Sequence, residues 1–348
     1  VTGVQTCALP ILLYRQGEWP YRDNAVYPYY ASNYPPLFHL LIVPLLPIVG
    51  VVPAAGRIVS FAATLITAGV IGLIVRREVK GWFVPVLAGL SYLASNYVYQ
   101  IGPLCRLHAT MVMFEALAVL FLARFEKRRN LVLGLLMLLL AGYTKQMAVF
   151  TVAATLSYVF LRNVKTALLA GLALTFVAGA IFWGLNTATD GQWWVNIIQA
   201  NVNEFHYLMS ISLFKQWLRL HPVLVLLALG FLIYELYWDR LSIYALWFLF
   251  ALATGALSGK WGAGPGYFLT AVAASCVAAG LALGRLHKVL ARRIKPPWSE
   301  RALRGGIALL YLVQAGFMLH LPTSGPVLGP VARALGVADE RMELGDRK

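Results

Sequence analysis

The sequence predicts an all-α fold: a polytopic transmembrane helical bundle of about ten spans, with a short juxtamembrane helix on its outer face. Three observations carry that reading. Hydrophobic residues make up 60% of the 348 and charged residues only 12%, a balance that leaves a soluble globule with apolar surface it cannot cover. Apolar runs of roughly 20 residues recur, the helical length that crosses a hydrocarbon core of about 30 Å. Finally, every second gap between these runs is loaded with Lys and Arg.

The spans are expected at 57–76, 82–99, 109–125, 130–145, 147–162, 166–186, 221–238, 241–258, 265–284 and 305–321. The stretch from Asn130 to Leu161 is too long for one crossing and carries Thr144-Lys145-Gln146 at its middle, so the chain should turn there. Parity agrees. With that turn, the basic gaps at Arg76 to Lys80, Arg124 to Arg129, Arg162 to Lys165, Asp239-Arg240 and Arg285 to Arg304 fall on one side; they hold 17 of the 29 Lys and Arg residues. Short loops rich in these cations stay cytoplasmic. The remaining gaps then face outward, and a net charge of +15 finds its partner in anionic headgroups without any nucleic acid.

Leu37 to Gly50 is apolar but only about four turns long, contains Pro44 and Pro47, and has no basic flank. An interfacial helix is the reading its length favours, and a crossing is the alternative. Val1 to Ile11 lacks an initiator Met and a basic start, and it resembles translated sequencing-adapter read-through. The expected organisation is therefore foreign sequence at 1–11, an outer loop at 12–56, the bundle at 57–321 and an extracytoplasmic tail at 322–348. Cys7, Cys105 and Cys276 have no metal-ligand spacing, and Cys276 reads as a small apolar filler.

Each outward gap carries at least one cation, against the usual bias, which points to an anionic ligand such as a phosphate. Arg106, Lys145 and Lys260 are the candidate clamp and should converge on one outward site; snorkelling to headgroups or helix-end solvation is the competing role. Arg57, His108, Gln146 and Tyr267 are further substrate-binding candidates, Gln146 with helix capping as its alternative. Asp23 is a weak catalytic candidate beside Arg22, Glu115 should face the bundle interior, and Trp193, Trp194 and Trp217 read as interfacial anchors.

At these residues the chain resembles a family. Pro-Tyr-Arg-Asp, Tyr-Pro-Pro-Leu-Phe-His-Leu-Leu, Ala-Ala-Gly-Arg57-Ile-Val-Ser, Thr-Lys-Gln and Gly-Tyr-Phe-Leu are similar to strings of the multispanning GT-C glycosyltransferases, in the branch with protein O-mannosyltransferase-like and aminoarabinose transferase-like enzymes. The resemblance runs from about Leu12 to Gly284. It implies a polyprenyl-phosphate-linked sugar donor, a glycan, lipid or protein acceptor at the outer face of a bacterial inner membrane, and inversion with the help of a first-loop carboxylate. That carboxylate is expected upstream of residue 12, so the chain as given is expected to be inactive. The family's second acidic position is occupied here by His108, which cannot supply a constant negative charge. Metal dependence varies in the family and is not readable from these residues. The competing class, a transporter or flippase of a lipid-linked or anionic substrate, would place polar groups at midplane on broken helices.

Overall fold

The computed structural model describes residues 5–27, 32–50, 52–293, 297–318, 334 and 336. Among them the chain is helical throughout, with one isolated antiparallel bridge between Phe205 and Lys260. The expected tail at 322–348 lies outside the described residues except for those two positions.

Helix α1 (Gln5–Arg15) continues across residue 11 and buries Ile11 in a cluster with Phe38, Ile42 and Leu46. The run from Leu37 is a chain of short pieces, α2 (Leu37–Ile42), a 3₁₀ turn at Val43–Leu45 and α3 (Leu46–Val49). Pro44 and Pro47 each sit in the first turn of the piece they begin, where a missing N–H costs least, and Gly50 ends the series at φ 74°. These pieces pack on the start of α4 (Val52–Glu78), the first long apolar helix.

Nine of the following helices sit where the apolar runs place them: α5 (Phe83–Ala94), α7 (His108–Leu122), α8 (Arg128–Thr144), α9 (Val149–Arg162), α10 (Val164–Ala188), α13 (Pro222–Trp238), α14 (Ile243–Ala256), α15 (Leu269–Arg293) and α16 (Pro297–Met318). Between them lie α6 (Asn96–Ile101), α11 (Gln192–Ile197) and α12 (Tyr207–Leu220). Among the described residues three segments, α4, α10 and Pro265–Leu290, are each long and apolar enough to cross a membrane alone, and the bent pair of α12 and α13 makes a fourth when taken as one span. Four of the other expected spans correspond to shorter apolar helices, Phe83–Ala94, His108–Leu122, Gln146–Arg162 and Ile243–Gly259. The turn at Lys145 is present: α8 ends at Thr144, Lys145 is extended, and α9 follows a 3₁₀ turn. The two helices then take different partners, α8 on α7 and α9 on α14.

Helix α15 is enclosed by α4, α5, α13 and α14. Its buried stretch reads Ala271, Ala273, Ala274, Ser275, Cys276, Ala278 and Ala279, small side chains that let neighbouring backbones close in. Helix α10 is the opposite case. Leu168, Leu172, Phe176 and Trp183 are all more than half exposed, as a lipid-facing surface requires.

Two breaks shape the site end. At Ser95 the run expected at 82–99 divides into α5 and α6, and Ser95 Oγ meets His221 Nε2 at 2.7 Å. His221 occupies the 96° bend between α12 and α13. Its Nδ1 is 3.0 Å from the Trp217 carbonyl, so that ring nitrogen donates and Nε2 accepts from the serine. Gln314 of α16 spans the same bend: its amide nitrogen donates to Leu220 O at 2.8 Å, and its oxygen accepts from Leu224 N at 3.0 Å. One side chain thus satisfies a carbonyl ending one helix and an N–H beginning the next, groups that are costly to leave unpaired away from water.

The basic gaps meet one another at the other end. Arg77 donates to Leu120 O, Arg162 to Leu241 O, and Arg285 pairs with Glu235 and Asp239. Cation-rich loops and the polar loops described next are therefore segregated to opposite ends.

Candidate functional site

The five gaps expected on the outer side, within 17–56 and at 102–108, 144–146, 186–221 and 258–267, come together in their described parts. Tyr21 of the first packs on Trp193 of the fourth, ring centroids 4.8 Å apart, and Tyr143 and Phe182 complete the enclosure. Trp193 and Trp217 are each only 1% exposed, so both are core residues; neighbouring aromatic rings take the place expected of the membrane interface. Trp194, 47% exposed, remains at the surface. The second gap is clasped to α4 by Ser60, whose hydroxyl donates to Arg106 O and accepts from Arg106 N. Gly56 makes room for this approach, because a Cβ there would collide with the Cys105 side chain. The fourth and fifth gaps run antiparallel, with His206 N donating to Gly259 O and Trp261 N to Glu204 O.

Lys145 lies at the centre. Its side chain is almost fully buried, and Nζ donates to His108 Nε2 across 2.5 Å. The amine also faces the rings of Tyr267 at 4.5 Å and Tyr34 at 5.7 Å, where the π faces attract a cation. Gly266 lies against the His108 ring, leaving about 3.1 Å to the place of a Cβ. Burial, then Lys145 and Arg106, hold the imidazole well below its ordinary pKa, so it is neutral and its Nε2 accepts. The proton then sits on Nδ1, which is buried and has no partner.

Burial is also the largest influence on Lys145, followed by the charges of Arg106 and Lys260, and together they lower its pKa to about 7. Lys260, only partly buried, is lowered by desolvation. The charges of Arg106 and Lys260 thus both bear on Lys145. Among the described residues none of the three has an ion pair; the carboxylates in ion pairs are Glu18, Glu204, Glu235, Asp239 and Glu300.

The other sequence candidates divide. Gln146 directs its amide nitrogen to Asn33 O at 3.2 Å and Ile197 O at 3.3 Å, tying the first and fourth gaps to the turn beside Lys145. Arg57 is exposed on α4, one turn before Ser60. Asp23 is exposed and accepts from Ala25 N, a local turn contact. Glu115 faces the bundle interior, accepting from Thr151 at 2.9 Å and Thr270 at 2.7 Å. Sequence reasoning missed Asn33 and Asn201. Asn201 donates to Asn33 O at 2.9 Å, while its own oxygen lies 3.5 Å from Lys260 Nζ. Their signal was faint, two amides in polar loops far apart in sequence.

No family model and no curated protein matches this sequence. Two solved structures do match in fold. ArnT from Cupriavidus metallidurans in the apo state superposes with a TM-score of 0.65 at 15% identity, over 90% of this chain and 69% of that one. The fold is that of this ArnT structure. ArnT from the same organism bound to undecaprenyl phosphate gives a TM-score of 0.60 at 17% identity, covering 88% of this chain. This chain spans 58% of the length of that ArnT structure. With segments long and apolar enough to cross a membrane among its described residues, the chain reads as an integral membrane protein.

Proposed function

We propose that this protein transfers a sugar from a polyprenyl-phosphate-linked donor to a glycan, lipid or protein acceptor at the extracytoplasmic face of a bacterial inner membrane, with inversion. The observation that carries this reading is a buried lysine amine with two further cations bearing on it and no carboxylate in ion-pairing contact. Such a cluster is relieved by an anion, and a phosphate accepts from all three groups. The ArnT fold, one of whose structures holds undecaprenyl phosphate, supports the same ligand class.

In the proposed reaction the acceptor oxygen bonds to the anomeric carbon as the carbon–oxygen bond to phosphate breaks, and the electron pair leaves with the phosphate. A general base takes the acceptor proton. Arg106, Lys145 and Lys260 stabilise the charge gathering on the leaving phosphate. Polar groups collected at one end favour a transferase over a transporter, whose sites lie near midplane. Glu115, the carboxylate inside a span, already has both oxygens hydrogen-bonded to protein hydroxyls.

Lys260→Ala in the full-length protein should slow transfer by roughly 10²-fold, the loss expected of one preorganised donor. Lys288→Ala, in the basic end, should leave the rate nearly unchanged. Equal losses from the two would show that general effects on folding or lipid contact, and not a clamp, explain the cations. The side assignment has its own test. In a background with the native cysteines replaced, an impermeant thiol reagent on intact cells should label Asn203→Cys and spare Lys288→Cys; labelling at 288 would reverse the topology.

A further inference from the structure

Between Lys145 and Lys260 lies a set of amides that a phosphate clamp does not use. The Asn33 main-chain oxygen already receives Gln146 and Asn201, which fixes the position of this residue from two sides. Its side-chain oxygen Oδ1 is buried and has no partner among the described residues. A buried carbonyl oxygen without a donor is unfavourable, and it is relieved by a ligand that brings an N–H or O–H.

The surrounding charge decides which. Lys260 is 3.5 Å from the oxygen of Asn201, Asn201 is bonded to Asn33, and Gln146, also on Asn33, directly follows Lys145 in the chain. The charge of Lys260 bears on Lys145, and either cation repels a further one. An ammonium group at Asn33 would enter a positive field with no carboxylate ion-paired to those lysines; a neutral hydroxyl donates the same hydrogen bond without that repulsion.

Building on the transferase reading, we propose that Asn33 Oδ1 accepts a hydroxyl of the donor sugar and that the cations around it select a sugar without an amino group. Asn33 is thus a specificity residue, and the substrate class is a polyprenyl phosphate carrying a neutral hydroxylated sugar.

The test measures binding of three short-chain polyprenyl phosphates to the purified chain in nanodiscs: the bare phosphate, its hexosyl ester and the corresponding aminohexosyl ester. The hexosyl ester should bind about tenfold more tightly than the aminohexosyl ester, a preference set by one hydrogen bond made without charge repulsion. Asn33→Ala should lower the ratio of hexosyl to bare-phosphate affinity by about tenfold. That ratio cancels any general loss of folded protein. Asn33→Asp should shift preference toward the aminohexosyl ester by supplying the missing negative charge. Equal or stronger binding of the aminohexosyl ester by the unaltered chain would overturn the proposal, as would an unchanged ratio in Asn33→Ala. Bare phosphate bound without sugar discrimination overturns this proposal alone; failure to bind any of the three overturns the transferase reading and this proposal with it.

Discussion

Lys145→Met should reduce sugar transfer by roughly 10²-fold or more and should also abolish a pH dependence that the unaltered protein shows. The first effect follows from removing the most enclosed of the three cations, whose position is set by His108 and two tyrosine rings. The second follows from where its proton resides. An unfolded lysine titrates near about 10.4, while burial and the neighbouring cations lower the folded group to about 7. Between those values the unfolded chain binds a proton that the folded, ligand-free chain lacks. Stability of the ligand-free protein should therefore rise as pH increases through this window, and the contribution is lost as pH falls through the folded value. Affinity for a polyprenyl phosphate should move the other way, strengthening as pH falls toward 7, because an anion binds the ammonium form. Thermal melts and binding isotherms across pH 6 to 10 report both trends. An identical slope in the unaltered chain and in Lys145→Met would remove Lys145 from the site.

The largest expected effect on stability lies at the opposite end. Glu235 is fully buried, and Arg285 holds it at 2.7 Å while stacking over Phe231 and Tyr234. Arg285→Met leaves a buried carboxylate with the Ser242 amide as its remaining hydrogen-bond donor. The loss should be about 3 kcal/mol, the low end for breaking a buried pair, because Arg285 is itself partly exposed and Ser242 stays bound. Adding Glu235→Gln to Arg285→Met should recover most of that loss by removing the stranded charge. Denaturation midpoints in detergent for the two single variants and the double variant give the coupling directly. A single-variant loss below about 0.5 kcal/mol would place this pair with exposed surface ion pairs.

The approximate helix positions were legible because a long, nearly uninterrupted apolar run is a property of local composition. The turn at Lys145 was legible for the same reason, since three polar residues inside an overlong run have few places to go. Helix α12 falls in a gap between two expected spans, although Leu213, Phe214, Trp217 and Leu220 recur at helical spacing; they pack into the bundle core. The break at Ser95 was not read from hydropathy; at that break Ser95 bonds His221, 126 positions away.

By itself the sequence determined the fold class, the approximate helices, the segregation of cations to alternate gaps and the choice of Arg106, Lys145 and Lys260 as residues to watch. Each of these follows from hydropathy, charge and parity, which are additive along the chain. Only the tertiary structure decided that Lys145 donates to His108, that Trp193 and Trp217 are core, and that Asn33, bonded to Gln146 and Asn201, carries a buried oxygen with no partner among the described residues. Those facts depend on which loops meet and at what distance. A buried charge or amide is defined by its neighbours, and neighbours 100 or more positions apart are set by packing that no local pattern records.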